Sequence, residues 1–153
     1  MTPFIESFIN GNGPYDVGPY WQQPGRSILQ NYLRDIVHVD PSLLTDGKYL
    51  VFSGDWYPES KHPGAEVRDV IMNTSATFEG LEANLRTWSA VNTYFEKFPD
   101  VADMRGKGAE GDVVDRVISK LKDMLKGEDV PGDSTISVDM VIALLLYRKP
   151  SAL

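Results

Sequence analysis

TFEGLEANLRTWSAVNTYFEKFPD, residues 77–100, carries Phe78, Leu81, Leu85, Trp88 and Phe95 at helical spacing. They fall on one stripe about 100° wide, the pattern of an amphipathic helix with one face in a core. The spacing predicts a single long central helix over 77–98. Ser89 and Asn92 lie at the edge of the stripe. A core-facing helix that gathers an indole, a hydroxyl and an amide either packs a polar network or lines a pocket. The residues alone leave both open.

Working outward, Lys48–Ser53 (KYLVFS) reads as a strand and 66–74 (EVRDVIMNT) as a second. Between them lies GDWYPESKHPG, residues 54–64, a connection long and aromatic enough to carry function. Residues 24–37 repeat Ile28, Leu29, Tyr32, Leu33, Ile36 and Val37 in pairs four apart, a helix with Pro24 in its first turn. Residues 3–10 form a short helix, and GNGPYDVGP (11–19) is a turn-rich connector. It is not a nucleotide loop, because no strand precedes it and prolines replace the amides that would face a ligand. On the far side, RGKGAEG (105–111) is a flexible break and the best candidate for a mobile segment. Residues 112–126 resume helical spacing up to Gly127. Residues 135–149 are apolar on both alternating faces from Met140 to Leu146, as in a central strand covered on both sides. The expected architecture is one α+β domain over 1–153. It has a small, mostly antiparallel sheet of about three strands and about four helices.

The chain has 153 residues, 42% hydrophobic and 24% charged, with a formal charge of -7 and no cysteine. That length buries roughly 68–70% of the unfolded surface, so a real core is expected. The negative charge argues against nucleic acid, where affinity rests on Lys and Arg neutralising phosphates. Without cysteine there is no disulfide, thiolate nucleophile or thiolate metal site. The first ten residues lack a basic segment and a long apolar run, and Met140–Tyr147 is far short of the about 20 residues that span a bilayer. The expectation is a cytoplasmic protein with neither membrane nor nucleic acid among its partners.

Four segments together resemble a known family: Tyr20-Trp21-Gln22-Gln23-Pro24-Gly25-Arg26-Ser27-Ile28-Leu29, Asp55-Trp56-Tyr57-Pro58, Leu85-Arg86-Thr87-Trp88-Ser89-Ala90-Val91, and Ile142-Ala143-Leu144-Leu145-Leu146-Tyr147-Arg148-Lys149. In order and approximate spacing they are similar to the C-terminal half of class I S-adenosylmethionine-dependent methyltransferases of the trans-aconitate methyltransferase-like kind. The resemblance implies the last antiparallel strands of that fold and the helices that cover its acceptor-substrate pocket. The family's glycine-rich loop and ribose-binding acidic residue belong to an N-terminal half with no counterpart here. The resemblance therefore assigns no cofactor-binding residue, and the isolated chain is expected not to bind S-adenosylmethionine.

Three functional classes follow. One is a cofactor-independent biosynthetic enzyme that folds a small apolar metabolite into a reactive shape for an isomerisation or intramolecular cyclisation. Positioning alone lowers a barrier by several kcal/mol, and a donor that tightens in the transition state adds a few more. The second is an accessory subunit, as a homodimer or as a heteromer with a methyltransferase-like partner. The third is an inactive C-terminal fragment.

For catalysis the candidates are Ser89, Asn92, Asp55 and His62, the last two in the Trp-rich loop as acid or base alongside Glu59. For substrate binding they are Tyr20, Trp21, Trp56, Tyr57, Trp88 and Tyr94, aromatic groups able to wall an apolar cavity with NH or OH aimed at a carbonyl. The resemblance to enzymes of acidic substrates adds Arg86 as a carboxylate partner, against a surface or intersubunit salt bridge. Solvation, loop packing or core packing is the alternative for each of these residues. His38 and His62 are the only histidines and lack ligand spacing, so no metal is expected. Ser89 has no neighbouring histidine and no nucleophile elbow. Asp139 either begins the buried part of the last strand or sits in a pocket.

Overall fold

The computed structural model describes residues 2–30, 40, 44–54, 64–126 and 135–149. The fold is α+β, with helices beside small sheets of three and two strands that are mostly antiparallel. Contacts divide the chain into two compact units, residues 1–26 with 76–136 and residues 27–75 with 137–153.

The first unit is helical. It comprises α1 (Thr2–Asn10), a 3-10 turn at Gly18–Tyr20, α3 (Phe78–Arg86), α4 (Ser89–Lys97), α5 (Pro99–Ala102), a second 3-10 turn at Gly108–Glu110, and α6 (Val113–Met124). Helix α2 (Gly25–Gln30) runs across the boundary between the units in sequence. The core gathers Phe8 and Val17 from the N-terminal segment, Phe78 and Leu85 from α3, Ala90, Val91 and Tyr94 from α4, and the apolar face of α6. Helix α6 is the best specified. Val113, Val114, Val117, Ile118 and Leu121 repeat at three to four residues and are buried.

The expected single helix over 77–98 is two. Thr77 caps α3, its Oγ1 accepting from the Gly80 amide at 3.0 Å. The helix stops at Thr87, whose Oγ1 donates to the Asn84 carbonyl at 2.7 Å. Trp88 then turns extended (ψ 133°) and stands as the N-cap of α4. The apolar stripe changes phase across this break. Beyond it the buried residues are Ala90, Val91 and Tyr94, while Trp88 and Phe95 are half-buried and Asn92 is exposed. A straight helix could not have buried both sets.

The second unit holds a three-stranded sheet in the order β2-β1-β5, built from β1 (Thr45–Phe52), β2 (Glu66–Arg68) and β5 (Ile142–Arg148). β1 runs parallel to β2, with Val51 beside Val67, and antiparallel to β5, with Leu50 beside Leu144. β3 (Asn73–Ala76) and β4 (Ile136–Asp139) form a separate pair. Two strand expectations are corrected. Residues 66–74 contain two strands separated by exposed Ile71 and Met72, and 135–149 breaks at Met140–Val141. Among the described residues β5 is also not the central strand: there it pairs only with β1 in its sheet, and Leu144 and Leu146 are 41% and 44% exposed. β1 takes the centre, where Val51 is fully buried.

The expected mobile break at 105–111 is a tied turn. Gly106 and Gly108 adopt the positive φ values, 83° and 59°, that glycine tolerates. The Gly106 amide donates to Asp115 Oδ2 at 2.6 Å, and Arg116 Nε donates to the Gly111 carbonyl at 2.7 Å. Among the described residues no helix is long and apolar enough to cross a membrane.

Candidate functional site

Two clusters in the helical unit collect the candidate residues, one polar and one aromatic. The polar cluster is centred on Arg86 in the last turn of α3. Its Nε donates to Glu82 Oε1 at 2.9 Å, Nη1 to Asp112 Oδ2 at 2.7 Å and Nη2 to Asp115 Oδ1 at 2.6 Å. Asp112 and Asp115 are buried and already committed to the start of α6. Asp112 Oδ1 accepts from the amides of Val114 and Asp115, both at 2.9 Å, and Asp115 Oδ2 accepts from the Asp112 amide at 3.2 Å, closing a capping box. Burial works to lower the Arg86 pKa, but the bonds to Asp112 and Glu82 outweigh it and hold the group above its ordinary value.

Arg86 therefore does not stand ready for a substrate carboxylate. The salt bridge it makes is neither on the surface nor between subunits, because its side chain is only 12% exposed and every partner lies in the same chain. The cluster clamps α3 to α6 and, through Asp115, to the 105–111 turn. Its signal in the sequence was Asp112-Val-Val-Asp115, two carboxylates three apart at a helix start. That spacing suits reciprocal capping, which then leaves one oxygen of each for an arginine.

The aromatic cluster brings together Tyr20, Trp21, Trp88 and Tyr94. Tyr20 meets Tyr94 edge-on at 5.1 Å between centroids, and Phe98 closes on Tyr94 at 4.8 Å. Lys97 Nζ lies 5.3 Å from the Tyr20 ring. Tyr94 is buried, and its hydroxyl donates to the Pro14 carbonyl at 2.8 Å, pinning the 11–19 connector. Burial, helped by Tyr20, raises the Tyr94 pKa. Beside this group Trp21 and Trp88 pack at 5.5 Å with planes 42° apart, and the Arg26 guanidinium covers Trp21 at 4.8 Å.

The polar tips of Trp21 and Tyr94 point into the protein, whereas that of Trp88 lies at the surface. Trp21 Nε1 donates to the Ile9 carbonyl at 2.9 Å and Trp88 Nε1 to Asn84 Oδ1 at 3.2 Å. The NH of Trp21 and the OH of Tyr94 are thus bonded to main-chain carbonyls of the chain and do not aim at a ligand, while the NH of Trp88 meets the exposed Asn84 side chain. What remains open is surface. Trp21 and Trp88 are half-buried, Ser89 is exposed on the first turn of α4, and Asn92 is exposed with its Nδ2 on the Trp88 carbonyl at 3.0 Å. Ser89 follows Trp88 in the chain and Asn92 bonds its carbonyl, and neither enters the core.

Asp55, Trp56, Tyr57 and His62, with Glu59 and His38, lie outside the described residues. Asp139 ends β4, exposed, and accepts a hydrogen bond from Asn73 Nδ2. It marks a strand end. Among the described residues no group of three or more His, Cys, Asp or Glu is placed to hold a metal ion. No protein-family model matches the chain.

Proposed function

We propose that this chain supplies the acceptor-substrate side of a methyltransferase-like catalytic unit, binding a small apolar metabolite on the Trp21–Trp88 face and leaving the cofactor to a partner. The observation that supports it most is the break at Trp88. The motif Leu85–Val91, which resembles the substrate side of that family, falls on a kink that sets one indole against another and turns Ser89 and Asn92 to solvent. An apolar ring has a flat partner there, and a hydroxyl and an amide lie at the margin to orient its polar end.

Such a face alone binds weakly. Covering roughly 100 Å² of apolar ligand surface gains about 2.5 kcal/mol, short of the about 4 kcal/mol of a millimolar complex. Pockets that hold small molecules well enclose most of the ligand, so a second body has to close over this one. That requirement favours an accessory role, as a homodimer or with a methyltransferase-like partner, over a cofactor-independent cyclase. Ser89 and Asn92 sit in solvent, whereas catalysis by shape depends on excluding water.

The test is a titration of the purified chain with polycyclic and polyene acids and separately with S-adenosylmethionine, reading tryptophan emission and heat. Weak quenching by the apolar acids, with a midpoint of about 10 mM or above, and no saturable response to the cofactor are expected. Cofactor binding near one site per chain would overturn the reading.

A further inference from the structure

The connector after α1 contains Asn10-Gly11-Asn12-Gly13, two Asn-Gly steps in a row, and the structure treats them differently. Asn12 and Gly13 are exposed, and the Gly13 amide donates to Asp16 Oδ2 at 2.8 Å. The same turn is closed from the other side by the Asp16 amide on the Gly13 carbonyl at 3.1 Å. A side chain at Gly13 would bring its Cβ to 2.9 Å from Asp16 Oδ2, so the close carboxylate and the bare glycine go together. At the first step the Gly11 amide donates to the Ser7 carbonyl at 2.6 Å, as a continuation of α1, and Asn10 Oδ1 accepts from Arg26 Nη2.

We propose that Asn12 is a site of self-modification, in which the Gly13 nitrogen attacks the Asn12 side-chain amide with Asp16 as the proton acceptor. The new bond joins Gly13 N to Asn12 Cγ. The Gly13 N–H proton passes to the Asp16 carboxylate and on to the departing amino group, which leaves as ammonia when its bond to Cγ breaks. The five-membered succinimide then takes up one water at either carbonyl, giving aspartate or isoaspartate, and no oxidant or further reagent is needed. A carboxylate held on the reacting nitrogen supplies base and orientation together. Asp16 Oδ2 also lies against Gly11, where a Cβ would run into it, but the Gly11 amide is bonded to the Ser7 carbonyl, which cannot take up the proton, so Asn10 lacks that help. Each conversion adds a negative charge to the connector, and the isoaspartate form lengthens its main chain by one carbon. This same connector is anchored by Val17 N on the Phe8 carbonyl and by Tyr94 on the Pro14 carbonyl, both at 2.8 Å.

The experiment is incubation of the full chain in mildly alkaline buffer, followed by peptide mass mapping and isoaspartate quantification at both sites. In the folded chain Asn12 converts at least about tenfold faster than Asn10, within the range of general-base assistance. In urea the two rates converge. Asp16→Asn slows Asn12 several-fold and leaves Asn10 unchanged. Equal rates at the two sites in the folded chain overturn the proposal, as does an Asp16→Asn variant that folds and converts as fast or faster. If that variant does not fold, the folded-against-unfolded comparison on the unaltered chain decides.

Discussion

The Arg86 clamp and the Trp21–Trp88 face draw on residues only two apart in one short motif, Arg86 and Trp88, yet they have opposite characters. At the clamp each nitrogen of the guanidinium has a carboxylate partner and both aspartates are buried. At the tryptophan face the two half-buried rings pack on one another with Arg26 over Trp21, Trp88 Nε1 meets the exposed Asn84 side chain, and Ser89 and Asn92 are exposed. A charged residue in a distinctive motif invites a functional reading, but charge that is fully paired has nothing left for a ligand. Half-buried apolar surface with polar groups at its margin does.

The largest break in this contrast comes from Arg86→Met. Removing one member of a buried ion-pair cluster leaves Asp112 and Asp115 uncompensated and costs about 3–5 kcal/mol, measured as a fall in the denaturant midpoint. Arg86→Lys does not restore it, because an ammonium cannot span three carboxylates. Trp88→Ala comes next. It abolishes the emission response to apolar acids at a stability cost below the roughly 3–5 kcal/mol of a fully buried tryptophan.

Tyr94→Phe is smaller again, about 1 kcal/mol for the bond to the Pro14 carbonyl. It also changes the alkaline limb of stability. Because burial raises the Tyr94 pKa in the fold, its contribution is intact below the unfolded value of about 10 and is lost as pH climbs through the raised folded value. The phenylalanine variant lacks that loss. Smallest is Ser89→Ala, expected within about 0.5 kcal/mol of the unaltered chain because the hydroxyl is exposed. A larger loss would mean that Ser89 belongs to the packed side of the contrast.

Much of the fold was legible in the residues. The period of Val113, Val114, Val117, Ile118 and Leu121 marks α6 plainly, and β1 follows from KYLVFS. The break at Trp88 was harder, because a stripe through Leu85, Trp88 and Phe95 fits a straight helix. Ala90, Val91 and Tyr94 offer a second stripe out of phase with the first, and two phases in one stretch are the mark of a kink. The 105–111 segment misled through its glycines. Positive φ at Gly106 and Gly108 serves a tight turn, and what holds that turn is Asp115, nine residues beyond Gly106 and invisible as a partner until α6 is placed. β5 misled through its hydrophobicity, which suits a covered central strand, yet among the described residues the pairing order puts it beside β1 alone in its sheet. At the candidate site, Tyr20, Trp21, Trp88 and Tyr94 stood out singly as aromatic groups, and their pairing as Tyr20 with Tyr94 and Trp21 with Trp88 comes from the packing of distant segments. The direction of their polar tips depends on the carbonyls of Ile9 and Pro14, and no local pattern encodes those partners.

The most direct measurement is a nitrogen-15 chemical-shift map of the chain during titration with an apolar polycyclic acid. The indole signals of Trp21 and Trp88 and the amides of Ser89 and Asn92 are expected to move together along one binding curve, with the Arg86 Nε signal fixed. Movement of Arg86 Nε with still tryptophans would contradict the account, and would return the site to the guanidinium.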